Sequence, residues 1–120
     1  MFNCLTVGAG GFVGAVGRYL LGLLPVFQRG AFPLATLLIN VAGGVLIGVV
    51  IKAAQGDPGL SPRLLLFLKV GVCGGFTTFS TFSLETLTLL ETGRPALGVL
   101  YAGLSLMLCV AGVALGRALV

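Results

Sequence analysis

With 120 residues, 58% of them hydrophobic and only 8% charged, the chain lacks the surface charge that a soluble domain of this size needs. A mean hydropathy of +1.17 assigns it to the bilayer. The net charge of +4 is spread along the chain without a basic patch, which excludes a nucleic-acid role, and no His, Ser-base or Cys-base pair offers enzyme chemistry.

Four apolar segments, about 3–24, 33–55, 64–92 and 96–118, are each long enough for a ~30 Å hydrocarbon core, which takes ~20 helical residues. The expected fold is therefore an all-α membrane protein, one four-helix domain over residues 1–120. The first segment lacks a basic start and is too long and glycine-rich for a cleavable signal. It carries Gly10-x3-Gly14, a spacing that lets helix backbones approach closely, and Arg18 toward its far end. Proline and glycine mark the short connections at Pro25 to Phe32, Gly56 to Arg63 and Thr92 to Pro95.

The second segment places Asn40 roughly 10 Å deep at 1.5 Å per residue. A buried amide in lipid must be bonded or line an aqueous path. Thr36, Asn40 and Gly44 share a helical face, which reads as a narrow polar groove or as an interhelical hydrogen bond holding the bundle. Gly44-x3-Gly48 follows on the same helix.

The third segment contains Gly74-Gly75-Phe76-Thr77-Thr78-Phe79-Ser80-Thr81-Phe82. Twin glycines followed by a run of hydroxyls continue a helix poorly at membrane depth. Backbone freed there is tolerated only against protein or water. The expectation is a helix broken near Gly74–Thr77 that offers carbonyls, hydroxyls and phenyl edges to a small ion. Beyond the break, Phe79, Phe82, Ser83 and Thr86 share a face, with Ser80 and Thr81 between the rings. That spacing suits core packing, and equally ring edges turned toward an anion. Glu85 should lie at the depth of Arg18, either paired with it or leaving Arg18 to raise the anion concentration at a vestibule.

The fourth segment adds Tyr101 and Ser105, one turn apart, and Gly112-x3-Gly116. The three glycine motifs together support a tightly packed bundle with a helical dimer interface. Cys4, Cys73 and Cys109 have no metal-ligand spacing and read as small packing residues. Four spans put both termini on one side with Lys52, Arg63, Lys69 and Arg117, against Arg18, Arg29 and Arg94 opposite. Four against three is too small a bias to fix orientation. Insertion both ways, with an antiparallel two-fold dimer, and a single orientation both remain open.

The sequence resembles the Fluc (CrcB) family of fluoride channels over essentially its whole length. The stretch Gly10-Gly11-Phe12-Val13-Gly14-Ala15-Val16-Gly17-Arg18-Tyr19 is similar to the family's G-G-x-x-G-A-x-x-R-Y, and Thr36-Leu37-Leu38-Ile39-Asn40-Val41-Ala42-Gly43 to its T-L-x-V-N-x-x-G. Residues 71–82 resemble its G-F-C-G-G-L-T-T-F-S-T-F, with Val72 and Phe76 departing. The resemblance implies an antiparallel dual-topology homodimer with two fluoride pores that lowers cytoplasmic fluoride by passive efflux across the cell membrane. It implies that Phe79, Phe82, Asn40 and Tyr101 line the pore, with Ser80 and Thr81 as a hydroxyl track. It also implies that the Gly74 and Thr77 carbonyls of both copies hold a structural sodium ion at the two-fold axis. Thr36 and Ser105 are taken as further pore hydroxyls.

Two other functions fit the size of the chain. A small proton-coupled drug exporter needs an embedded carboxylate, for which Glu85 is the only candidate. A non-transporting assembly subunit would explain the glycines but not the hydroxyls at mid-membrane.

Overall fold

Helix α1 (Phe2–Gly22) leads through a 3-10 turn at Pro25–Gln28 to α2 (Leu34–Gly56) in a computed structural model that describes residues 1–120. The next helix, residues 62–76 and here α3, begins as an α-helix at Pro62–Leu66, widens to a π-helix at Phe67–Cys73 and ends in one turn at Gly74–Phe76. After an extended pair, Thr77 and Thr78, come α4 (Phe79–Glu91) and α5 (Pro95–Ala118). Helices α1, α2, α3 with α4, and α5 make four runs long and apolar enough to cross a membrane.

Local chemistry sets the ends. Pro62 occupies the first turn of α3, where a missing N–H is harmless, and Ser61 Oγ caps it by accepting from Leu64 N at 3.4 Å. Helix α4 stops at Gly93, whose φ of +79° turns the chain so that Arg94 N–H reaches back to the Leu89 carbonyl at 3.0 Å. Pro95 then opens α5.

Only 17 of 120 residues are buried, and large apolar side chains such as Phe12, Leu106 and Met107 stand exposed, as on a surface solvated by lipid. The interior is made of small residues instead. Helices α2 and α5 form the principal seam, and α1 packs on α3. The glycine pairs are consumed inside the single chain. A methyl on Gly44 would lie 2.9 Å from the Cys109 carbonyl and one on Gly112 3.1 Å from that of Val41, while Gly10 sits against Phe67 O and Gly71 Cα. They hold this bundle together, so the expected dimer interface is not what these motifs build.

The break falls later than the glycines suggest. Gly74 is helical at φ −64° and ψ −39°, and the chain straightens only at Thr77 (ψ 157°) and Thr78 (φ −148°, ψ 123°). Gly75 is small for a different reason: a methyl there would meet Gly11 O at 2.6 Å. The break divides the third span between two partners, 62–76 lying on α1 and 79–91 on α5.

Candidate ion-conducting site

The interrupted backbone at Thr77 and Thr78 is satisfied mainly by one side chain. Asn40, on α2, donates from Nδ2 to the Thr78 carbonyl at 3.0 Å and accepts from Thr78 N at its Oδ1 at 2.8 Å. The amide replaces both bonds that a continuing helix would have given Thr78. Thr78 Oγ1 in turn accepts from Thr81 N at 3.2 Å and caps α4. Thr77 donates from both N and Oγ1 to the Cys73 carbonyl, at 3.1 and 2.9 Å. Gly43 makes room on α2, where any side chain would strike Thr77 Cγ2.

These bonds leave two acceptors behind. Thr78 N would ordinarily serve Gly74 O, and Thr81 N would serve Thr77 O. Both donors are diverted, to Asn40 and to Thr78 Oγ1. The Gly74 and Thr77 carbonyls are therefore free at the break, and Gly74, Thr77 and Thr78 all line a groove of about 410 Å³.

Asn40, Phe79, Phe82 and Ser105 line the same groove. The two phenyl rings lie 5.6 Å apart at 47°, so the i, i+3 pair does share a face. Phe82 also packs on Tyr101, at 5.3 Å and 48°, and Tyr101 meets Phe32 edge-on at 5.5 Å. Tyr101 is wholly buried, with Leu37 and Leu89 beside it, whereas Phe79 is 80% exposed. Ser105 is 5% exposed, yet its Oγ has no hydrogen-bond partner.

A second groove, of about 260 Å³, holds Arg18, Thr36, Thr78 and Thr81. Thr36 and Asn40 thus do not form one polar stripe. Thr36 Oγ1 donates to Glu85 Oε1 at 2.6 Å, and Asn40 turns to Thr78. Tyr101 OH also reaches Glu85 Oε1, at 3.4 Å. Arg18 and Glu85 are not paired. Arg18 Nε donates to the Gly75 carbonyl at 3.3 Å, because α1 lies against α3 on the far side of the break from Glu85. Ser80 is exposed and belongs to neither groove.

Sequence reasoning missed Thr78 as the partner of Asn40, the Thr36–Glu85–Tyr101 cluster and the presence of Lys69 in the first groove. A buried amide, a carboxylate and a tyrosine at membrane depth each signal a polar partner, but not which one.

A family model described as CrcB-like protein, Camphor Resistance (CrcB), matches residues 5–117. The chain is 45% identical to the fluoride-specific ion channel FluC of Ruminiclostridium cellulolyticum, over 99% of this chain and 92% of that one. It is 46% identical to the protein of that name from Rhizobium meliloti over the full length of both. With the one from Chlorobaculum tepidum it shares 46% identity over 88% of this chain and 84% of the relative.

Proposed function

The chain belongs to the CrcB-like family, and from that membership, with the groove at the helix break, we infer that it is a fluoride-specific ion channel. It is a multi-pass membrane protein, and its place is the cell membrane, where passive efflux lowers cytoplasmic fluoride. The observation that carries the reading is the Asn40–Thr78 clamp, which holds a broken helix open onto a groove lined by Phe79, Phe82 and Ser105.

Fluoride is small and strongly hydrated. A path for it has to replace that water with many weak partners and still let the ion leave. The Asn40 amide, the unpartnered Ser105 hydroxyl and the positive edges of Phe79 and Phe82 suit that requirement. Thr81 and Thr36 supply hydroxyls on the other side of the break; Tyr101 lines neither groove and bears on the path through its bond to Glu85, and Ser80 serves only where another surface covers it.

A second, antiparallel copy is part of this reading. Free carbonyls at the break make a poor lipid-facing surface, and the small charge bias allows both orientations. Gly74 O and Thr77 O from each copy fit a structural sodium ion, since both carbonyls have lost their helical donors. The ion would supply positive charge to oxygens that have no N–H. Exchange of sodium for N-methylglucamine should then lower the melting temperature of the purified protein, by about 2.7 kcal/mol of lost stabilisation if sodium stood at a hundredfold its Kd. Unchanged melting by differential scanning fluorimetry would remove the sodium assignment.

Liposomes holding only this protein test the function. Fluoride, followed with an electrode, should leave within seconds of potassium-ionophore addition, and chloride should stay. Phe82→Ile, which removes a ring edge from the groove and the stack on Tyr101, should slow fluoride efflux roughly tenfold, the equivalent of ~1.4 kcal/mol. A wild-type protein that leaves fluoride trapped refutes the channel.

A further inference from the structure

We infer that Lys69 forms a capture site for small hydrated anions at the termini-side mouth of the groove, a role that rests on the channel reading above. Lys69 lines the groove that contains Asn40, Phe79, Phe82 and Ser105. Its placement follows from the π-helix. Lys69, Cys73 and Gly74, at i, i+4 and i+5, all face the groove, and a helix bonded i to i+5 brings such positions onto one wall. The opposite face, with Gly71 and Gly75, is committed to α1.

The ammonium is not neutralised. The chain has three carboxylate side chains: Asp57 accepts from Gly59 N in the preceding loop, and Glu85 is held by Thr36 and Tyr101 beyond the break. Glu91 ends α4. Lys69 stands seven residues past Pro62, roughly 10 Å along the helix, a depth at which a cation faces water or reaches out along its flexible stem to the interface. Sharing a wall with Thr77 and Ser105 favours water.

Arg18 is the counterpart at the other end. It lines the second groove with Thr36 and Thr81, and the two grooves meet at Thr78. Each groove leading to the break therefore carries one cation, Lys69 in the first and Arg18 in the second. Lys69 raises the local anion concentration while leaving selection to the groove beyond it.

The test is current through reconstituted protein in planar bilayers as a function of salt. At ~10 mM NaF, where the screening length is ~30 Å, Lys69→Gln should conduct roughly threefold less than wild type; at ~1 M, with a screening length of ~3 Å, the two should converge. Lys69→Arg should behave as wild type, and fluoride-over-chloride selectivity should be unchanged in all. Lys69→Met keeps the apolar stem and serves if the glutamine variant does not reconstitute. Equal currents at low salt, with the wild type conducting, overturn the capture role and leave the channel standing, because Lys69 then only reaches to headgroups. A loss of the same size at both salt concentrations also overturns it. A silent wild type removes channel and capture site together.

Discussion

Fluoride efflux from proteoliposomes made with Asn40→Asp should fall by about a hundredfold or more. The amide both donates to and accepts from Thr78, at 3.0 and 2.8 Å. An ionised carboxylate accepts only, so it would keep the bond from Thr78 N and face the Thr78 carbonyl with like partial charge. It would also bring a full negative charge to the groove. At an effective dielectric constant near 20, two unit charges ~5 Å apart repel by ~3 kcal/mol, which is roughly two powers of ten in rate. Asn40→Ala separates the two effects. It unpairs Thr78 N and O, at about 1–3 kcal/mol for each buried group, but adds no charge, so its flux should lie between that of Asn40→Asp and wild type. The electrode trace used for the wild type measures all three. Wild-type flux from Asn40→Asp in a monodisperse preparation would detach Asn40 from the ion path.

Gly116→Val should yield no folded protein. Its side chain would enter the α2 backbone, onto the Val45 carbonyl, with Val45 C at 2.9 Å and Val49 N at 3.0 Å. Main chain cannot move aside as a flexible side chain can. Gly44, Gly48 and Gly112 also meet main chain across the same seam, so relief at Gly116 means separating α2 from α5 along its length. Overpacking an ordinary core costs about 1–3 kcal/mol, and a collision with backbone on a seam of this length exceeds that against a total stability of ~5–15 kcal/mol. Gly103→Val, on the same helix with nothing within 4 Å of the added carbon, should extract and elute as wild type. Size-exclusion chromatography after detergent extraction distinguishes them, and a sharp wild-type peak from Gly116→Val would contradict this packing.

The two outcomes show what the sequence could and could not convey. The four spans were legible because lipid demands long apolar runs, and they differ from the observed helices by no more than two residues at any end. The interruption was legible near Gly74–Thr77 from twin glycines followed by hydroxyls, and the chain does straighten at Thr77. The separate parts played by glycine and threonine were not. Glycine permits a bend and also permits close contact, and only the location of α1 shows that Gly75 serves the second use while Thr77 and Thr78 make the turn. The GxxxG spacings likewise announced contact without naming the partner. Arg18 and Glu85 were matched by depth, but depth says nothing about direction around the bundle, and the two face different helices. The π-helix at Phe67–Cys73 has no side-chain signature, so Lys69 could be assigned to a side of the membrane but not to a groove.

An amide nitrogen carries two hydrogens. Asn40 commits one of them to the Thr78 carbonyl, so a passing ion can draw a single hydrogen from this residue, aimed by the tether on the other. No dehydrated anion can be held by one such contact. Its lost solvation has to be made up piecemeal from neighbours that are each too weak to detain it, and that parsimony is what permits rapid passage.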